Sequence, residues 1–289
     1  MNYLLHILVM INIYAILSLS LNILVGYTGL LSLCHATFFG IGAYASTLLM
    51  MRLGFGFILS LFLSIILSVL LSFVISVPSL RLKGDYFVLA TLGFQIIAFT
   101  ILYNWVDLTR GPYGISGIPR PVIFGLKIDS ISSYFVLSCI IAFLCVGLFQ
   151  LIGNSPFGRV LKAIREDEIS SAALGKNIPR LKIIVFSISA GFAAVPGALF
   201  AGYMRYIDPT SFTLMESVFI LSIIIIGGTG NISGPILGTV IMILLPELMK
   251  FLAIPDSIAA NMRQILYGLL IIVIMRIKPQ GLSGEYNFK

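Results

Sequence analysis

The 289-residue chain has two histidines, His6 and His35, and three cysteines, Cys34, Cys139 and Cys145. His35 stands alone in LSLCHATFF, and a lone histidine in an apolar helix is more often packed or hydrogen-bonded than catalytic. The cysteines fall in apolar segments, where a thiol behaves as a small hydrophobe. No disulfide or metal framework is implied. H-E-x-x-H, G-x-S-x-G and G-x-x-x-x-G-K-[ST] are all missing, so the sequence offers neither a hydrolytic centre nor a nucleotide cradle. The chain is not expected to be an enzyme or to hydrolyse ATP itself.

The small polar residues carry a different chemistry. Gly26 to Ser32 reads GYTGLLS, and Gly227 to Ser233 reads GGTGNIS, so both obey G-x-T-G-x-[LI]-S after an apolar run. Gly26, Gly29, Gly227 and Gly230 permit a break in a helix, and Thr28, Ser32, Thr229 and Ser233 can satisfy freed backbone groups. Inside a bilayer such a break is tolerated only where protein or a water-filled path surrounds it. A restarted helix would point its positive end at an anionic group. The two copies read as corresponding points of a weak internal repeat. Two uses stay open: lining a substrate path, or letting helices approach closely through small residues. Gln95, the uncharged amide in TLGFQIIAF, has the same two uses, with interhelical hydrogen bonding as its default.

The elements that must hold these residues follow from composition. Hydrophobic residues make up 59% of the chain and charged residues only 10%, against roughly 25% charged in soluble domains. Apolar runs near 5–25, 30–51, 57–77, 86–103, 131–152, 183–203, 215–228, 232–252 and 263–277 are continuous, which predicts helices and excludes an alternating barrel pattern. The fold class is all-α: one polytopic membrane bundle over 1–289, of about 8–10 transmembrane segments, with broken or re-entrant helices. The first run lacks a basic n-region and a small-residue cleavage site, so it reads as retained. The net charge of +7 records topology, because no basic patch is interleaved with aromatics for nucleic acid.

Arg159, Lys162, Arg165, Lys176, Arg180 and Lys182 crowd the 153–182 connection, and Arg276, Lys278 and Lys289 the tail. Both are expected to be cytoplasmic, with Arg81 and Lys83 on the same side. The Pro- and Gly-rich 104–130 connection then lies outside, where it reads as an ordered external loop, with a passive linker as the alternative. Ion-coupled carriers set ionisable groups deep in the membrane, whereas here Glu216 and Glu247 stand near segment ends and Asp85, Asp107, Asp129, Asp208 and Asp256 in connections. A secondary carrier is therefore the rival reading, and a transporter driven by a partner the favoured one. Ser155 as cap, Pro156 at the first position, Gly175 as stop and Pro179 beyond predict one amphipathic helix over about 156–173. Its apolar face is Phe157, Val160, Leu161, Ile164 and Ala172. Such a helix either grips a partner or lies on anionic membrane lipid, and Glu166, Asp167 and Glu168 argue against lipid attraction alone.

Glu168 to Gly175, E-x-x-x-A-x-x-G, is similar to the cytoplasmic loop by which ABC-importer permeases engage their ATPase subunits. RLKGDYFVLATLGF (81–94), LTRGPYGISGIP (108–119), GRVLKAIREDEISSAALG (158–175), DPTSFTLMESVFILSIIIIGGTGNISGP (208–235) and KPQGL (278–282) together resemble the branched-chain amino-acid permeases of the Liv family. RLKGDYF and the terminal PQGL fit the LivM-like member best. The resemblance runs over nearly the whole chain, and Asn177-Ile178-Pro179 departs from it just after the loop helix. It implies a bacterial inner-membrane permease with a cytoplasmic C-terminus. Its partners would be a second Liv-type permease, two ATP-binding subunits and an external solute-binding protein, with ATP used by those partners and no cofactor or metal bound here. Leucine, isoleucine and valine are the implied cargo; urea, amides or other neutral amino acids stay open. Arg165, Glu168 and Gly175 become the candidate coupling residues. Thr28, Gly29, Ser32, Gln95, Thr229, Gly230 and Ser233 become the candidate substrate-path residues.

Overall fold

The computed structural model describes residues 2–80, 82, 84–123, 125–250 and 256–284. Each of the nine apolar runs forms a helix: α1 (Asn2–Thr28), α2 (His35–Arg52), α3 (Phe57–Ser79), α4 (Asp85–Asn104), α6 (Ile131–Asn154), α9 (Ile178–Met204), α10 (Leu214–Gly227), α11 (Ser233–Lys250) and α12 (Asp256–Ile277). Short helices α5 (Val106–Thr109), α7 (Pro156–Glu166) and α8 (Glu168–Ala173) fill two connections. Among the described residues, α1 to α4, α6 and α9 are long and apolar enough to cross a bilayer singly. The 14 residues of α10 rise only about 21 Å, short of a hydrocarbon core of ~30 Å. Length and break together make it a half-span.

The bundle is organised around α9, which packs against α1, α2 and α3. Small residues allow that closeness: a Cβ on Gly197 would lie 2.8 Å from the Ala43 amide nitrogen of α2. On α3, Ser60, Ser64, Ser68, Ser72 and Ser76 repeat every four residues and are all buried, because that spacing puts them on one helix face. Ser68 Oγ donates to Ala190 O at 2.8 Å and Ser72 Oγ to Ser187 Oγ at 2.8 Å, both on α9. Phe62, Leu70 and Val74 face outward instead. Small polar residues inside and large apolar ones outside is the arrangement of a helix whose solvent is lipid.

Antiparallel packing gives the molecule two ends. One, the basic end, carries α7, α8 and the residues after α12. At the other, the 104–130 connection is ordered by strand pairs: β1 (Ile115–Ser116) with β4 (Tyr206–Ile207), and β2 (Val122–Ile123) with β3 (Leu126–Lys127). Arg52 Nη2 donates to Asp107 O at 2.6 Å, holding this connection to the end of α2. Arg81, Lys83 and Lys289, assigned above to the cytoplasmic side, lie outside the described residues.

The predicted helix over 156–173 is two helices. Ser155 caps α7 as expected, its Oγ accepting from Gly158 N at 3.2 Å. Asp167 then leaves helical geometry (φ −151°, ψ 106°) and caps α8, accepting from Ile169 N at 2.9 Å and Ser170 N at 3.1 Å. The break resets the helical register. Leu161 and Ile164 are buried as predicted, but Ala172 is exposed and Ser171 turns inward instead. Asn177-Ile178-Pro179 begins α9, with Asn177 Oδ1 accepting from Arg180 N at 3.2 Å; proline near a helix start removes no helical bond.

Candidate functional site

Backbone leaves helical form inside the bundle just after α1. Ser189 of α9 donates its hydroxyl to Ser20 O and sits 3.0 Å from His35 Nε2, so α2 begins level with Ser20. Ser20 lies eight residues before the end of α1, about 12 Å along its axis. Gly29 N still donates to Val25 O at 2.9 Å, but residues 30–34 climb back into the bundle without helical bonds, and their amides need partners from elsewhere. Leu33 N donates to Thr91 Oγ1 at 3.1 Å, and Cys34 N to Ser32 Oγ at 3.4 Å. Ala36 N donates to Ser217 Oγ at 3.0 Å and Thr37 N to Gln95 Oε1 at 2.9 Å. The positive end of α2 thus meets uncharged acceptors. Gln95 also accepts from the hydroxyls of Thr37 (2.8 Å) and Ser217 (3.3 Å) and donates from Nε2 to Phe212 O at 2.8 Å. Its oxygen accepts three bonds and its amide donates one, which makes it an interhelical junction of α2, α4 and the start of α10.

The two G-x-T-G-x-[LI]-S stretches meet at the basic end. Each turns one helix into the next, α1 into α2 and α10 into α11. A Cβ on Gly26 would lie 2.6 Å from Gly230 N. Asn22 clamps the pair, its Nδ2 donating to Asn231 O at 2.7 Å and its Oδ1 accepting from Gly230 N at 3.1 Å. Gly29 and Gly230 hold φ of 71° and 94°, a region that favours glycine. Thr28 Oγ1 donates to Leu24 O at 2.6 Å within its own helix. Ser233 Oγ lies 2.9 Å from Ser283 Oγ, and the Thr229 hydroxyl is buried without a partner among the described residues. The KPQGL tail seats on the second turn, where Leu282 N and Ser283 N donate to Ile226 O and Gly227 O at 3.0 and 2.9 Å.

The connection between α6 and α9 leans on this pair of turns. Arg165 Nη1 donates to Gly26 O, and its Nη2 pairs with Glu166 at 2.8 Å. Lys162 Nζ sits 5.2 Å from the Tyr27 ring centroid. Cations beside the last carbonyls of α1 are where the helix dipole favours them. Arg165 thus faces the bundle, while Glu168 pairs with Lys182 at 2.7 Å on the surface. Gly175, at φ 77°, closes α8 with Gly175 N to Ala172 O at 2.9 Å and Lys176 N to Ser171 O at 3.4 Å, the Schellman pattern. A Cβ there would meet nothing within 4 Å, and Ile169 and Leu174 beside it are 83% and 80% exposed. Outside the membrane, Asp167 is held below the usual carboxylate range by the Ser170 hydroxyl and by the Ser170 and Ile169 amides.

One expectation is corrected. Glu216 does stand at the start of its segment, yet that segment begins inside the bundle, so the carboxylate lies deep. Its Oε1 accepts from Tyr14 Oη at 2.7 Å, and Tyr14 is 12 residues from one end of α1 and 14 from the other. Beside it, between α1, α10 and α12, opens a cavity of about 550 Å³ lined by Tyr14, Glu216, Phe219, Ser222, Gln264 and Tyr267, among others. Neither Tyr14 nor Asn22 was singled out by sequence. The signal available for both was a polar residue inside an apolar run.

A family model described as branched-chain amino acid transport system, permease component, matches residues 3–275. The chain is 38% identical to the high-affinity branched-chain amino acid transport system permease protein LivM of Salmonella typhimurium, over 93% of this chain and 67% of that one. Identity to the protein of the same name from Escherichia coli is 37%, with the same coverage. Identity is 32% to a probable LivM of Methanocaldococcus jannaschii, over 96% of this chain and 92% of that one. No solved structure matches. With an all-helical bundle, six membrane-length helices and these relatives, the chain belongs to the branched-chain amino-acid transport permease family, on its LivM-like side.

Proposed function

We propose that the protein is a permease subunit of an ATP-driven importer and forms part of the translocation path for leucine, isoleucine and valine. The similarity to LivM proteins along 93% of the chain carries this reading. On it, two separate ATP-binding subunits hydrolyse ATP, a second Liv-type permease completes the membrane part, and an external binding protein delivers substrate. This chain binds no cofactor. The basic end, with 153–182 and the C-terminus, faces the cytoplasm, and 104–130 faces outward.

Geometry supports a division of labour in the 153–182 connection. Ile169, Leu174 and Gly175 form an exposed apolar knob, suited to an ATPase surface, with Glu168 fixing register beside it. Arg165 acts one step inward, carrying motion of α7 to the carbonyl end of α1 and so to the paired turns. Gly29, Gly230 and their neighbours Thr28, Ser32, Thr229 and Ser233 are then the hinge-side wall of the path. The depth of Glu216 removes one reason for setting an ion-coupled carrier aside, so the test must separate the two.

Vesicles holding the full complex should accumulate labelled leucine when ATP is present on the basic side, and not under a proton or sodium gradient alone. Gradient-driven uptake without ATP-binding subunits overturns the reading. Within it, Gly175→Trp should abolish stimulation of ATP hydrolysis by loaded binding protein, whereas Gly175→Asn, which tolerates the left-handed backbone, should retain it. Equal stimulation in both variants removes the connection from the coupling role.

A further inference from the structure

We propose that the cavity between α1, α10 and α12 is a substrate subsite in which Glu216, oriented by Tyr14, receives the α-ammonium group of an amino acid. The assignment rests on the importer reading above and adds what that reading lacks: a charged group for the charged part of the cargo.

Glu216 departs from its locally expected use. Thr213-Leu214-Met215-Glu216 has the T-x-x-E spacing of a capping box, in which the glutamate side chain would bond back to the Thr213 amide. Here the Thr213 side chain makes no cap hydrogen bond, and the Glu216 carboxylate turns to Tyr14 on another helix. Among the described residues it has no ion pair. A carboxylate accepts at about four lone-pair positions, and one phenol hydroxyl fills one of them. Carboxylates removed from water persist when paired or richly hydrogen-bonded, so the geometry leaves Glu216 short of a cationic donor.

The space beside it suits one. At about 550 Å³ the cavity falls in the usual range for small-molecule sites, roughly 300–1,000 Å³. Its walls divide by chemistry, with the Glu216 carboxylate, Ser222 and Gln264 polar, and Val218, Phe219 and Ile271 apolar. A neutral amino acid with a hydrocarbon side chain divides the same way. Its ammonium would donate to Glu216, and its side chain would lie against Phe219 and Ile271. Ser217, the residue after Glu216, donates to Gln95 and accepts from the start of α2. Occupation of the cavity is thereby linked to the junction beside the re-entrant segment.

The test uses the whole complex in vesicles, with Glu216→Gln, Glu216→Asp and Tyr14→Phe compared at equal subunit content. ATP-driven leucine uptake by Glu216→Gln should fall at least about tenfold, the loss expected for one charge-assisted hydrogen bond. Stimulation of ATP hydrolysis by loaded binding protein should persist, because the ATPase contact is untouched. Tyr14→Phe should lose about threefold, and Glu216→Asp should retain more uptake than Glu216→Gln. Calorimetry on the detergent-solubilised complex should detect leucine binding but not its 2-hydroxy acid analogue, which lacks the ammonium. Uptake by Glu216→Gln within about twofold of wild type, or equal binding of the hydroxy acid, overturns the subsite. Should Glu216→Gln fail to assemble, Glu216→Asp and Tyr14→Phe decide, and full uptake by both overturns it. A wild-type complex that accumulates no leucine with ATP overturns the importer reading instead.

Discussion

Gln95 makes four hydrogen bonds, at 2.8 to 3.3 Å, to the start of α2, to Ser217 and to the carbonyl of Phe212. Glu216, next to Ser217 in the chain, makes one among the described residues, to Tyr14 at 2.7 Å, and borders an open cavity. Both are polar groups beside the same helix junction in an apolar bundle. The difference between them separates scaffold from site. A side chain whose oxygen accepts three scaffold bonds and whose amide donates a fourth has little capacity left for a ligand. One that is charged, underbonded and next to space keeps that capacity, at a cost that the rest of the fold must offset.

Stability measurements break or sharpen that contrast. Gln95→Leu should be the most damaging, leaving the Thr37 and Ser217 hydroxyls and the Phe212 carbonyl without their partner, while the Thr37 amide keeps the Cys34 carbonyl at 3.1 Å. At about 1–3 kcal/mol for each group the site cannot re-pair, the loss should reach roughly 3–5 kcal/mol, seen as a fall in the thermal midpoint of the purified complex. A midpoint within about 1 °C of wild type would be incompatible with a junction role.

The paired turns come next. Gly29→Leu and Gly230→Leu each force a branched residue into positive φ, costing roughly 1–3 kcal/mol, and uptake should fall in both. Normal uptake by the double substitution would reduce the repeat to a coincidence of small residues. Smaller again is the effect of Asp167→Ala, which removes the cap of α8. The lowered carboxyl of Asp167 sets its pH dependence. The contribution is complete above the unfolded value near 3.9 and is lost as pH falls through the lower folded value. Hydrogen exchange of 168–173 should thus accelerate in the variant at neutral pH, but in wild type only under strongly acid conditions. Glu216→Gln should shift stability least, by less than about 1 kcal/mol, although it removes most of the uptake. A destabilisation as large as that of Gln95→Leu would make Glu216 part of the scaffold and erase the contrast.

Much of the architecture was legible because it rests on local rules. Every apolar run became a helix, and the Ser155–Pro156 start and the Gly175 stop of the basic connection sit where predicted. The break at Asp167 was readable but overlooked, since Asp-x-x-Ser before an apolar residue is also a capping arrangement. The serine stripe of α3 was equally open to reading, being a plain four-residue period. Other features had no local signal. That Arg165 turns inward to Gly26, 139 positions away, follows from where α7 docks on α1.

By itself, the sequence determined the bilayer as solvent, the helices, the sharing of charge between connections and the family, because hydropathy, caps and motifs act over a few residues. Only the tertiary structure decided that GYTGLLS and GGTGNIS touch, that α2 begins part-way into the bundle, and that Glu216 lies at mid-depth. Depth is a property of packing. The chain position of a residue within its helix says how far it is from that helix's end, and α10 starts where the interior, not the membrane surface, supplies the partners for its first turn.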